Sequence, residues 1–238
     1  MTPEAVEAAI DALAARHGLL GSQASALARL VAALEAEPDP PTRLRAGLSA
    51  VEGHLADSLV ALELPDVRLG RRVADLGAGA GFPGLALAVA LPCATVELVE
   101  SAGRKAEVIA RLIGAGGLHN ARAVPARAEA WGAGEHRETY DVVTARALAA
   151  LPVLVEYAAP LLAPDGVLVA WKGVRDPVEE AAGARAAEEA GLRPEEIRRV
   201  VPFAGALHRH LHVLRKVAPT PERLPRRPGV AARRPLGS

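Results

Sequence analysis

Residues 73–90 read VADLGAGAGFPGLALAVA: a short apolar run, an aspartate, glycines at 77, 79, 81 and 84, and then a helical segment. Such a run is how a buried strand feeds a ligand-binding turn, because glycine lets the backbone bend sharply and approach a ligand with no Cβ in the way. Pro83 pre-sets the first turn of the helix that follows. The stretch therefore predicts strand, loop and helix in that order, and the register of its glycines decides which ligand the loop admits.

Outward from this unit, short apolar runs alternate with helical segments, which is the pattern of a parallel sheet with crossovers. Strands are expected near 72–76, 95–100, 121–125, 140–145, 166–171, 197–202 and 210–217, with helices near 83–91, 104–115, 151–163 and 177–190. The fold class is doubly wound α/β. Residues 1–62 read instead as helices. Pro3 opens the first and Gly18 ends it; a second runs from Ser22 until Pro38–Pro41 break it; Leu44, Leu48, Val51, Leu55, Leu59 and Leu62 step by three and four along a third. The expected organisation is a helical extension (1–62), an α/β domain (63–217) and a basic, extended tail (218–238).

The 238 residues are half apolar and long enough to bury a substantial core. No run of about 18 uncharged apolar residues is present, and the first residues carry acids rather than a basic start, so a cytoplasmic, membrane-free protein is expected. Cys93, the single cysteine, excludes an internal disulfide and reads as a buried, inert thiol. The 28 basic and 28 acidic residues balance overall but not locally. From Gly205 onward Arg209, Arg215, Lys216, Arg223, Arg226, Arg227, Arg233 and Arg234 face Glu222 alone, an asymmetry that suggests a basic arm meeting phosphate.

Gly79–Gly84 (GAGFPG) fits the dinucleotide pattern G-x-G-x-x-G, in which the first glycine directly ends the first strand. Here the strand ends earlier. Counted from it, the motif is Asp75-x-Gly77-x-Gly79-x-Gly81, an acid followed by three alternate glycines. That register is the one used by class I S-adenosylmethionine-dependent methyltransferases, whose ligand carries a sulfonium and an ammonium and no pyrophosphate, and so suits a neighbouring acid. Glu100, closing the strand TVELVE, can accept both hydroxyls of an adenosine ribose, a device that dinucleotide enzymes share.

With these residues in place, the sequence resembles the RsmG (GidB) family of small-subunit ribosomal RNA guanine-N7 methyltransferases. The likeness is carried by DLGAGAGFPG (75–84), HLADSL (54–59), VESAGRKAEVI (99–109), ARAEAW (126–131), VVTARALAAL (142–151), VAWKG (169–173), RHLHVLRK (209–216) and PRRPGVAARRPLGS (225–238). The resemblance implies a Rossmann-like class I fold with a seven-stranded, mostly parallel sheet. It implies transfer of methyl from S-adenosylmethionine to N7 of one guanine in the decoding-region loop of 16S rRNA, with the small ribosomal subunit as partner. It also implies Gly77 and Phe82 at the cofactor, Ala128 and Glu129 beside the adenine, and Arg146 at the cofactor mouth. The segment EAEPDPPTRLRAGLSA (35–50) departs from the family, which usually carries Trp-Asn and Asn-Leu-Thr elements there.

The remaining residues fit that chemistry. Guanine N7 is already a lone-pair nucleophile, so positioning supplies most of the catalysis and no general base is assigned. After the fourth strand, where amino-group methyltransferases commonly carry an Asn/Asp-Pro-Pro-aromatic motif, stand Thr144-Ala145-Arg146-Ala147. Arg146 and Lys172, just past strand ends, are the expected catalytic pair that orients the base and its phosphates. Asp75, Gly77, Gly79, Gly81, Phe82, Glu100, Ser101, Ala128, Glu129 and Arg146 are expected to hold the cofactor. His54, Arg104, Lys105, Arg209, Arg226, Arg227, Arg233 and Arg234 are expected to contact RNA. His54, Asp57 and Ser58 share a polar helix face, and His208, His210 and His212 share a strand face; neither group is assigned a metal. A monomer is expected. A small-molecule or protein methyltransferase, a non-catalytic RNA-binding assembly factor, and an NAD-dependent oxidoreductase remain as alternatives.

Overall fold

The computed structural model describes residues 2–237. Two helices, α1 (Pro3–His17) and α2 (Gly21–Ala36), open the chain. The single helix expected over 44–62 is instead four segments: α3 (Gly47–Ala50), a π-helical stretch (Val51–Ala56), α4 (Asp57–Leu59) and a 3-10 turn (Val60–Glu63). Gly53 explains part of the break, since a Cβ there would lie 2.3 Å from Leu44 Cδ1; the incoming loop crosses the helix at that point. A short α5 (Pro65–Leu69), not foreseen, leads into the sheet.

From there the alternation holds: β1 (Arg72–Leu76), α6 (Gly84–Ala90), β2 (Thr95–Val99), α7 (Gly103–Gly116), β3 (Ala121–Val124), a short α8 (Ala128–Gly132), β4 (Tyr140–Arg146), α9 (Leu151–Ala158), β5 (Leu162–Lys172), α10 (Pro177–Ala190), β6 (Leu192–Arg199), β7 (His210–Lys216) and α11 (Val230–Arg233). The seven strands lie in the order β3-β2-β1-β4-β5-β7-β6. Pairing is parallel from β3 to β5, and β7 runs antiparallel to both β5 and β6. Buried apolar residues of α1, α2, α6 and α7 form one cluster on one face of the sheet, and those of α9 and α10 form another on the opposite face.

Three local expectations need correction. Strand β6 lies at Leu192–Arg199 rather than 197–202: it is an edge strand with mostly exposed charged residues, so the apolar Val200–Val201 pair drew the expectation past its end. Helix α9 stops at Ala158 because Pro160 follows and strand β5 begins at Leu162. Cys93 is exposed, not buried, in the turn after α6. Among the described residues no helix is long and apolar enough to cross a membrane.

Candidate functional site

Strands β1 and β4 are adjacent at the centre of the sheet, and the chain leaves them in opposite directions, so their carboxyl ends form the crevice where open α/β sheets bind ligands. Asp75 on β1 pairs in register with Thr144 on β4. The Asp75 carboxylate is fully buried, accepting from Gly84 N at 2.9 Å and from Thr144 Oγ1 at 2.8 Å. Burial raises its pKa to about 6 against the pull of those two hydrogen bonds. Asp75 thus braces the glycine loop from behind against the first residue of α6. It does not line the ligand cavity, which corrects the expectation of direct cofactor contact.

In front of Asp75 the loop is open. Gly77 adopts φ +62° and donates to Val99 O at 2.8 Å; a Cβ there would meet Leu148 Cδ1 at 2.5 Å. Both oxygens of Glu100 are engaged by main chain, Oε2 by Gly79 N at 3.0 Å and Oε1 by Ala102 N at 2.9 Å. The resulting trough, about 480 Å³, is bounded by Gly77, Gly79, Phe82, Glu100, Ser101 and Lys105 on one side and by Pro41, Thr42 and Arg146 on the other. It continues past Gly77, Ser101 and Leu148 into a smaller cavity of about 140 Å³ walled by Ala128, Glu129 and Tyr157.

A second pocket of about 460 Å³ adjoins the trough and shares His54, Arg146 and Ala147 with it. Lys172, Arg209, Trp171 and Asp57 complete its charged and aromatic wall. Arg146 donates from Nη1 to Asp57 Oδ2 at 2.8 Å and to the Gly53 carbonyl at 3.0 Å. Lys172 is paired with Glu179 at 2.5 Å and donates to Ala149 O at 3.0 Å. His54 stacks on Phe82 with ring centroids 4.6 Å apart. Its Nε2 lies 3.0 Å from Leu44 O, which requires a proton there, and its Nδ1 then accepts from Arg146 Nη2 at 3.4 Å. Burial and the Arg146 charge lower its pKa to about 4, so the ring is neutral. Ala147, between the two cavities, sits at φ +54°, a strained conformation for a residue with a Cβ.

The divergent segment closes one side of the trough. Arg111 of α7 makes two bonds to Glu37, at 2.8 and 3.0 Å, and Arg104 pairs with Asp39. Thr42 Oγ1 reaches His54 Nε2 at 3.1 Å.

Most expected positions therefore converge, with exceptions. The polar face of His54, Asp57 and Ser58 is buried against the sheet domain, where Arg146 and Arg209 meet it. Residues 218–237 are not extended: Leu224, Ala231 and Leu236 are buried, α11 forms a short helix, and Arg226 bonds the buried Glu156 of α9. Arg227, Arg233 and Arg234 are exposed. Of the histidines on β7, His210 bonds the Gly173 carbonyl and His212 is buried; among the described residues no group of three potential ligands could hold a metal. The sequence reading missed Thr42, Leu148 and Tyr157 as cavity walls and Asp57 as the anion that joins two arginines; Asp57 and Leu148 lie inside the quoted motifs HLADSL and VVTARALAAL, but a motif does not say which way a side chain faces.

The model of the family described as rRNA small subunit methyltransferase G (GidB) matches residues 42–211. A relative from Pelotomaculum thermopropionicum, described as ribosomal RNA small subunit methyltransferase G, is 44% identical over 185 residues, 77% of this chain and 77% of its own. One of the same description from Chloroflexus aggregans is 42% identical over 202 residues, 82% of each chain. Among solved structures, a SAM-dependent methyltransferase from Aquifex aeolicus superposes with a TM-score of 0.55 at 18% identity, over 72% of this chain and 94% of that one. Aeropyrum pernix fibrillarin with natively bound S-adenosyl-L-methionine gives 0.53 at 16% identity, over 68% and 73%. At such identities these two share the fold.

Proposed function

Because the chain belongs to the ribosomal RNA small subunit methyltransferase G family, we propose that it methylates N7 of a guanine in the decoding-region loop of 16S rRNA, with S-adenosylmethionine as the methyl donor. The observation that carries this reading is the meeting of two cavities at His54, Arg146 and Ala147. One has the shape and groups for the donor; the other has the cations for a nucleotide.

The trough fits an adenosine-bearing donor on its own terms. Glu100 presents a carboxylate at its floor, Gly77 and Gly79 bring bare backbone to its edge, and Ala128 and Glu129 close the far cavity. Bound there, S-adenosylmethionine supplies a methyl group already activated on a sulfonium. The protein is left to place the acceptor, and placement alone is worth many powers of ten in rate.

The second pocket suits guanine N7 because nothing has to be deprotonated. Its two candidate bases are both occupied: Asp57 by Arg146 and Arg209, and His54 by Leu44 O and Arg146. A guanidinium on N7 would block the nucleophile, so Arg146, Lys172 and Arg209 act on guanine O6 and on phosphates. Arg104, Lys105, Arg227, Arg233 and Arg234 extend the cationic surface for RNA.

The test is transfer of labelled methyl to small ribosomal subunits that lack guanine-N7 methylation. Label in 16S rRNA supports the reading. A protein that binds S-adenosylmethionine and labels only small molecules or proteins overturns it.

A further inference from the structure

The cationic tail, read from its sequence as an RNA arm, packs behind Glu129, a wall residue of the smaller cavity. Its root is held by Arg137, whose guanidinium donates to Thr220 O at 2.9 Å and to Leu224 O at 2.7 Å. Its end is held at Gly237, which accepts from Arg185 Nε at 2.8 Å and donates to Glu189 Oε1 at 3.0 Å. Between these anchors Arg226 forks onto Glu156, a carboxylate with no exposure at all, and also donates to Arg234 O at 2.7 Å. Leu224, Ala231 and Leu236 bury beneath the same strap.

Two of its contacts lead to the cavity. Gly229 N donates to Glu129 Oε1 at 2.8 Å, and Glu129 lines the cavity from the first turn of a five-residue helix that cannot hold its side chain alone. Glu156, gripped by Arg226, precedes Tyr157 on α9, and Tyr157 also lines the cavity. The strap thus meets the cavity wall from behind, directly at Glu129 and at the residue next to Tyr157.

We propose that Arg226 and Gly229 are positioning residues for the adenine end of the methyl donor, acting through Glu129. With Oε1 committed to Gly229, the carboxylate is set so that Oε2 accepts from the exocyclic amine of adenine. This rests on the reading of the trough as the donor site. It assigns Arg226 to cofactor affinity and leaves the exposed Arg227, Arg233 and Arg234 for RNA.

The experiment uses the full chain and calorimetric dissociation constants for S-adenosylhomocysteine and for its inosine analogue, in which an oxo group replaces the amine. Arg226→Lys keeps the charge and loses the fork. It weakens S-adenosylhomocysteine about tenfold, the inosine compound far less, and leaves RNA affinity unchanged. Arg227→Ala with Arg233→Ala does the reverse, weakening RNA alone. Glu156→Gln is the second route to a loosened clamp should Arg226→Lys not fold, and the same loss of amine preference is expected. Unchanged discrimination in the folded variant overturns the proposal, as does equal weakening of both compounds, which marks a merely structural strap. A wild-type protein that binds neither compound refutes instead the donor-site reading.

Discussion

The carboxylate of Asp57 joins Arg146, 89 residues away in sequence, at 2.8 Å, and its second oxygen takes Arg209 Nε at 3.2 Å. The main-chain carbonyl of Asp57 also accepts from Trp171 Nε1 at 2.7 Å. One buried anion therefore sets the spacing of two cations in the second pocket, where Lys172 supplies a third.

Asp57→Asn keeps the shape and removes the charge that both arginines share. Charge-assisted bonds of this kind are worth about 1.5–3 kcal/mol each. We expect kcat/KM on small subunits to fall about ten- to a hundredfold, with the dissociation constant for S-adenosylmethionine unchanged. Parallel steady-state kinetics and calorimetry decide it, and equal loss in both would assign Asp57 to general stability.

Asp75 makes the stability depend on pH in an unusual direction. Its pKa is raised by burial from the usual 3.8 to about 6, so between those values the folded protein keeps a proton that the unfolded chain has released. Its contribution to stability is thus greatest below about pH 4 and declines by about 3 kcal/mol as the pH rises to about 6. Asp75→Asn lacks this component, so the stability difference between variant and wild type should move in the variant's favour by about that amount from pH 4 to pH 7. Urea titrations at several pH values would show it; a constant difference would mean that Asp75 titrates normally.

These two aspartates show what the sequence made legible. The acid ahead of the glycines marked the loop and its ligand class, because the spacing of acid and glycines is a local property. Which way its side chain points was set by Thr144 across the sheet, and no local pattern encodes that. His54, Asp57 and Ser58 read as one polar helix face, and only the arrival of Arg146 and Arg209 from across the fold shows what makes their burial tolerable. Likewise the tail's charge was correctly counted, but charge does not distinguish a solvated arginine from Arg226, whose partner lies beneath the surface on α9.

Gly77→Ala tests the loop. A Cβ at φ +62° costs about 1–2 kcal/mol. It also displaces the Leu148 side chain, 2.5 Å away, which lines both the trough and the smaller cavity beyond it. We expect a modest drop in melting temperature together with at least tenfold weaker S-adenosylmethionine binding, roughly 1.4 kcal/mol. Full affinity with lowered stability would place the donor elsewhere.

Lys105 is exposed at the rim of the trough. Lys105→Ala should lower the slope of log affinity for RNA against log salt by about one, the mark of a single lost phosphate contact, and should weaken all RNA sequences alike. Filter binding at several salt concentrations measures this; an unchanged slope removes Lys105 from the RNA surface.

The most direct test of the central claim is to map the methyl group. Small subunits lacking guanine-N7 methylation, treated with the protein and S-adenosylmethionine, are cleaved with borohydride and aniline, which cut RNA at N7-methylguanine. The account predicts one new cut, at a guanine of the decoding-region loop, and its absence with Arg146→Ala. Methylated RNA that resists cleavage, or is cut at scattered guanines, would contradict it.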